Sequence, residues 1–249
     1  MDSSEKGRLV ILCGPSCAGK SPLDKALGRL YPELRARLRS VTLYNSRSPR
    51  PGERDGVDYH FRRRESIEAL RADPRHIVLD VRGDLQALDL DSLDSLLRGG
   101  DAFFEGNPFV GQALRTHPRL AGERRLSIFM APLSREEIVF LKNQGVSLEE
   151  FLTDVMRRKL LRRTRRQKGE LSLKDLENIE RRAASAWIEL RDAPAFDHVI
   201  PNHDGEDSEN WDAFYYPVGD ARKALLAFVD LLLGRPTPFA EHWEESLFQ

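Results

Sequence analysis

The segment Gly14-Pro15-Ser16-Cys17-Ala18-Gly19-Lys20-Ser21 constrains this chain more than any other. It fits the spacing G-x-x-x-x-G-K-[ST], in which two glycines let a loop turn so that its backbone N–H groups point inward around a phosphate. The apolar run before it, residues 9–13, shows no polar alternation, as in a strand buried on both faces. Residues 20–30 read as a helix whose N-terminus adds its positive dipole end to the same anion site. Pro22 stands in the first helical turn, where its missing N–H does no harm. A chance glycine turn would lack that strand and that helix. The segment therefore predicts a site for ATP and Mg²⁺. Backbone N–H groups of 14–19 would hold phosphate, Lys20 would serve the β- and γ-phosphates, and the Ser21 hydroxyl would ligate the metal.

Beyond the loop, strand-like and helix-like stretches alternate. Strand candidates cover 41–44, 76–81, 102–105, 125–130 and 196–200. Helix candidates cover 66–70, 90–97, 151–168, 173–190 and 221–233, and another follows Ser134, which has Glu137 three residues on in capping-box spacing. This alternation predicts an α/β fold of P-loop NTPase type, a parallel sheet flanked by helices on both sides. The chain has 249 residues, 40% of them hydrophobic, enough for a large core. Its formal net charge of −1 argues against binding nucleic acid through bulk charge. No apolar run approaches the roughly 18 residues of a membrane span. Cys13 and Cys17, the two cysteines, flank a glycine turn and suit neither a disulfide framework nor a metal cluster, which fits a reducing cytoplasm.

Residues 45–59 form a second informative stretch, rich in Pro, Gly and charge. Arg47 and Arg50, three apart on a proline-stiffened loop, can converge on one phosphate, and Tyr59 can add a hydroxyl donor. The pattern S-R-x-P-R-x-G-E-x-x-G-x-D-Y-x-F over 46–61, following the glycine loop, resembles the guanylate kinase family. The likeness continues at Gly99-Gly100-Asp101, at Phe129-Met130-Ala131-Pro132-Leu133-Ser134, at Glu180-Arg181-Arg182 and at 196–202, so it spans about residues 8–233. The resemblance implies phosphoryl transfer from ATP to GMP, a small phosphorylated acceptor, with no nucleic-acid or membrane partner. It implies one domain over 1–249: a core of about 8–40, 100–150 and 191–233, an acceptor-binding insertion at 41–99 and a helical lid at 151–190. Arg47, Arg50 and Tyr59 would hold the acceptor phosphate, and Glu53 the loop or the acceptor. Gln86, Glu105 and Asn107 would also face the acceptor. Lys20, Arg50 and Arg182 would act on the transferring group, Asn202 would lie at the adenine edge, and Lys168 aligns loosely with a second lid arginine.

The chain departs from the family where that family reads guanine. Ile77 stands near the place of a carboxylate, Leu43 near a serine, and Gln86 where a tyrosine touches the acceptor phosphate. The acidic strand end reads Glu105-Gly106-Asn107-Pro108-Phe109, with one extra residue before Gly111. A base edge facing apolar side chains would lose about 1–3 kcal/mol per unpaired group. Asp80, Asp84 or Asn107 could compensate from a shifted position. Two alternatives stay open: another phosphorylated acceptor, such as a modified nucleotide or a sugar phosphate, and a binding module without turnover. The intact Lys20 and Ser21 speak against the second.

Residues 151–168 carry a crowd of basic side chains over an apolar side of Leu152, Val155, Met156, Leu160 and Leu161. Such a lid can close over phosphates, although most of its arginines should be solvated or paired with Glu170, Asp175, Glu177 and Glu180. The acidic stretch 203–211 matches no calcium-loop spacing and reads as a solvated loop.

Overall fold

The structure, a computed structural model, describes residues 6–49 and 52–249. In chain order the elements are β1 (Leu9–Cys13), α1 (Lys20–Leu30), α2 (Pro32–Ala36), β2 (Leu38–Ser40), β3 (Tyr44–Asn45), β4 (His60–Phe61), α3 (Arg64–Ala69), β5 (His76–Val81) and β6 (Asp84–Asp89). Then come α4 (Leu90–Gly99), β7 (Asp101–Gly106), α5 (Pro108–Thr116), β8 (Arg125–Ala131), α6 (Arg135–Asn143), α7 (Leu148–Lys168), α8 (Leu173–Leu190), β9 (His198–Pro201) and α9 (Gly219–Leu232).

The core sheet runs β2-β7-β1-β8-β9, with every pairing parallel. All residues of β1 are buried because the strand lies in the middle of a sheet covered on both faces. Leu9 and Ile11 face one layer, which includes Leu93 and Leu97 of α4, Leu114 of α5, Ile138 of α6 and Leu152 of α7. Val10 and Leu12 face the other, built from Leu23 and Leu27 of α1 and from Leu225 and Phe228 of α9. The expected parallel sheet with helices on both sides is therefore present. The capping box of Ser134 and Glu137 opens α6 as its spacing predicts. Among the described residues, no helix is long and apolar enough to cross a membrane.

Two features were not anticipated. The first is a second sheet, ordered β4-β3-β6-β5 and containing antiparallel pairs. The strand expected at 41–44 is divided between the sheets. Leu38–Ser40 and the Val41 N–H bond to β7, whereas Tyr44–Asn45 pairs with β4 and β6. An extended segment crossing from one sheet to another looks like a single strand in sequence, because local pattern does not record its partners. The second is α5, whose start signals are present: the Asn107 side chain caps the Phe109 N–H, and Pro108 follows at the first position.

Phe228 is fully buried and its ring lies 6.1 Å from that of Phe103, on the face that holds α1 and α9 to the sheet. Phe228→Ala should lower unfolding stability by about 3–5 kcal/mol. Urea denaturation would measure it, and an unchanged midpoint would contradict a close-packed layer there.

Candidate active site

A cleft opens where the C-terminal ends of β1 and β7 meet. Cys13 closes β1 beside Gly106 of β7 and Phe129 of β8. Open parallel sheets place ligand sites at such carboxyl ends, where the connections diverge. Gly14, Ser16, Cys17, Lys20 and Ser21 form the floor of the cleft. Arg47, Tyr59, Arg82, Asp84 and Gln86 make the wall contributed by the second sheet and its loops. Arg163, Asn178, Arg181 and Arg182 of α7 and α8 make the opposite wall, while Glu105, Asn107 and Glu206 complete the lining.

On the floor, Lys20 is 7% exposed, and its Nζ donates to the carbonyls of Gly14 at 2.8 Å and Pro15 at 2.7 Å. Gly19 has φ 99°, and a Cβ there would lie 2.5 Å from the Asn202 side chain, so both conformation and space require glycine. Its N–H donates to Glu206 Oε2 at 3.1 Å, which seats a carboxylate in the anion cradle. Burial works to raise the pKa of Glu206, but Lys20, Arg163 and the Gly19 N–H outweigh it and hold the group below its usual range. The Ser21 hydroxyl donates to Glu105 Oε1 at 2.7 Å. Burial pushes Glu105 up, against that hydrogen bond and the charge of Lys20. A hydroxyl and a carboxylate side by side are the hard oxygen donors that Mg²⁺ takes alongside its waters. Both cysteines are buried, and burial raises both thiols, Cys17 to about 12, so neither is a nucleophile.

Asn202 does not line the cleft. It is fully buried behind the loop, where its amide donates to Ala18 O at 2.8 Å and Asp204 O at 2.6 Å. The residues after it overturn the reading of 203–211 as a solvated loop. Asp207 and Trp211 are buried, and a Cβ at Gly205 would lie 2.1 Å from Cys17 O, so this segment packs directly on the phosphate loop. Arg162 pairs with Asp207 at 2.7 Å and Arg166 with Glu209 at 3.0 Å, and the buried Lys159 ammonium donates to His203 O. The basic helix α7 and the acidic loop are thus each other's counterions. Trp211 within an otherwise polar stretch was the sequence signal for a packed loop.

On the wall from the second sheet, the Arg47 guanidinium makes two 2.6 Å bonds to Glu53 and lies over the rings of Tyr59 and Phe61, 5.1 and 5.4 Å from their centroids. Burial tends to lower the pKa of Arg47, but Glu53 raises it further, so its charge is fixed. Glu53 holds Arg47 rather than lining the cleft. Arg50 lies outside the described residues. Gln86, Glu105 and Asn107 reach the cleft, as does Asp84, whereas Asp80 turns away to the Gly83 N–H and Arg64. Behind Gln86, the side chains of Leu43, Ile77, Leu79 and Val110 pack in the apolar core.

On the opposite wall, Arg182 of α8 is 9% exposed and its Nε donates to Ser16 Oγ at 2.9 Å. Lys168 pairs with Asp175 at the far end of α7, away from the cleft, and Arg157 pairs with Glu180. Arg163 and Arg181 reach the cleft although the sequence reading did not single them out. Arg82 was also missed. It has φ 58° and precedes Gly83 at φ 89° in the turn between β5 and β6. That left-handed conformation costs a non-glycine residue on the order of 1–2 kcal/mol.

The family model for guanylate kinase matches residues 6–87. A guanylate kinase of Rhodococcus jostii (strain RHA1) is 30% identical over 236 residues, covering 93% of this chain and 89% of its own. One from Synechococcus sp. (strain JA-3-3Ab) is 31% identical over 215 residues, covering 85% and 83%. The crystal structure of guanylate kinase from Anaplasma phagocytophilum superposes with a TM-score of 0.54 at 17% identity, covering 93% of this chain and 87% of that one, a likeness of fold.

His203 fastens the acidic loop to two helices, with Nδ1 on Asp220 of α9 and Nε2 2.8 Å from Glu137 of α6. Burial lowers its pKa, but the hydrogen bond to Asp220 and the charge of Glu137 win and raise it. A raised folded pKa gives stability that is complete below the unfolded value of about 6.5 and is lost as pH rises through the folded value. The stability difference between wild type and His203→Gln should therefore be largest near pH 6 and shrink toward alkaline pH. Urea midpoints across that range would test this, and a difference that grows with pH would contradict it.

Proposed function

The chain belongs to the guanylate kinase family, and from that premise we propose that it transfers the γ-phosphoryl group of ATP to the phosphate of GMP, giving ADP and GDP. The observation that carries this reading is a single cleft in which the phosphate loop faces Arg47 and Tyr59. ATP would bind with its β-phosphate among the N–H groups of 14–19, displacing the Glu206 carboxylate from Gly19. Lys20 would leave the carbonyls of Gly14 and Pro15 for the β- and γ-phosphates. Ser21 and Glu105 would hold Mg²⁺, which supplies neutralisation of the triphosphate charge when bound.

The chemistry asked of the chain is positioning and charge compensation, without a covalent intermediate. Arg47, fixed by Glu53 and stacked on Tyr59, would hold the acceptor phosphate, with Arg50 beside it in sequence. Arg182 would lie over the transferring group from α8. A lysine acting on charge that develops during transfer affects kcat more than binding. Lys20→Ala should retain the wild-type fold by circular dichroism and lower kcat by about 10²–10³-fold or more. Near wild-type turnover in that variant would remove the phosphate loop from the mechanism.

The apolar side chains of Leu43 and Ile77, which stand where the resemblance places guanine readers and pack into the core behind Gln86, support a second statement about the acceptor. Sites that hydrogen-bond a substrate group reject analogues lacking it by roughly 10⁴-fold or more, whereas apolar sites discriminate by roughly 10–200-fold. With Asp84 and Gln86 among the polar side chains of the adjoining wall, kcat/KM for GMP should exceed that for AMP or IMP by no more than roughly 100-fold. Steady-state kinetics on GMP, dGMP, AMP and IMP would measure the ratio. An inert AMP beside an efficient GMP would mean that guanine is read elsewhere in the cleft.

A further inference from the structure

Resting on the phosphoryl-transfer reading, we propose that Arg82 is a further catalytic arginine, delivered by the acceptor-side hairpin to the transferring phosphoryl group and held there by Glu189.

The Arg82 side chain crosses the cleft from the turn between β5 and β6. Its Nη1 donates to Ser16 Oγ of the phosphate loop at 3.1 Å, and its Nε donates to Glu189 Oε1 of α8 at 2.8 Å, a contact that Nη2 shares. The hairpin, the phosphate loop and the lid helix therefore meet at one guanidinium. Asp84 and Gln86, on the same hairpin, line the acceptor side of the cleft, whereas Ser16 and Lys20 line the donor side. Arg82 thus stands at the seam where donor and acceptor must touch.

Three details separate this arrangement from a structural clamp. Arg182 also donates to Ser16 Oγ, so two guanidinium groups converge on one neutral hydroxyl. The phosphoryl oxygen of a nucleotide seated on the phosphate loop would be a stronger acceptor than that hydroxyl for the N–H groups that now reach it. Glu189 is fully buried, and Arg82, Ser185 and Asn107 all donate to its Oε1, while Oε2 is buried without a hydrogen-bond partner. That carboxylate fixes Arg82 through Nε and Nη2 and leaves Nη1 directed at the phosphate loop. Finally, Arg82 keeps a left-handed conformation at a turn position that glycine or asparagine would take with less strain, so its side chain has a use there.

In the transfer, an oxygen of the acceptor phosphate forms a bond to the γ-phosphorus while the bond from that phosphorus to the β–γ bridging oxygen breaks. The bridging oxygen keeps the electron pair and leaves with ADP. Negative charge is shared over the γ-phosphoryl oxygens throughout, and Arg82 Nη1 would exchange Ser16 Oγ for one of them. Arginines in this role raise kcat by roughly 10³–10⁵-fold in other phosphoryl-transfer enzymes.

The test is steady-state kinetics on the full chain with Arg82→Met, Arg82→Lys, Arg82→Ala, Glu189→Gln and the double variant. Arg82→Met should lower kcat by about 10²–10³-fold and change KM for ATP and GMP by less than about threefold. Arg82→Lys should retain part of the activity, and guanidinium or methylguanidinium ion should restore part of the kcat of Arg82→Ala. Glu189→Gln should lower kcat by about tenfold, and it should have no further effect once Arg82 is Met, because it acts through that residue. Arg82→Met with kcat within about threefold of wild type would overturn the inference. So would lost activity that tracks a lower melting temperature in every variant and that guanidinium does not rescue. A wild-type chain that phosphorylates none of GMP, AMP and IMP would overturn the transfer reading, and this inference with it. An active wild type with unaffected Arg82 variants would overturn the inference alone.

Discussion

The parallel pairing of β1 between β7 and β8 is the constraint on which the cleft depends. A fully buried strand in the middle of a sheet has no freedom to shift, because slipping by one residue would turn Leu9 and Ile11 into the wrong layer. The phosphate loop leaves the end of that strand, so its position relative to Glu105 and Asn107 at the end of β7 is fixed by sheet register. The same register brings Ser21 to hydrogen-bond distance of a carboxylate 84 residues away in sequence. Loop chemistry is local, but the pairing of loop and carboxylate belongs to the sheet.

Charge is balanced within the cleft in a way that a formal net charge of −1 does not reveal. Arg47 is met by Glu53, Arg82 by Glu189, and Lys20 by loop carbonyls with Glu206 nearby. A cluster of buried cations without such partners would carry a desolvation cost that its own repulsion increases. Two kinds of carboxylate follow. Glu53 and Glu189 hold arginines by their Nε or Nη atoms and can stay in place when a phosphate arrives. Glu206 instead accepts from the Gly19 N–H of the phosphate loop itself. The mixture gives a site that is charged and ordered before its ligand enters, which is what electrostatic catalysis requires.

Helix α7 and the acidic loop extend the same logic outward. Helix α7 packs through Leu152, Met156 and Leu160 and presents its cations to Asp207 and Glu209. The loop that carries those carboxylates also packs on Cys17 and Asn202, so it links α7 to the back of the phosphate loop. The basic helix and the acidic loop each look like a solvated run when read alone. They are partners because the loop that follows β9 runs along the second half of α7, at Lys159, Arg162 and Arg166, and one-dimensional composition contains no such information.

The phosphate loop, its flanking strand and helix, the α/β class and the capping of α6 were all legible in the sequence, since each rests on spacing within one segment. Loop turning, helix dipole and capping are local physics, and local physics survives in a linear pattern. The mixed second sheet was not legible, because the partners of residues 38–45 are chosen by packing and not by propensity. Nor was the place of Asn202, whose amide serves the phosphate loop from behind. Arg82 and Glu189 lie 107 positions apart and carry no motif. Their meeting was decided by the tertiary fold alone, since only the docking of the β5–β6 turn against α8 brings a guanidinium and a buried carboxylate to one point above the loop.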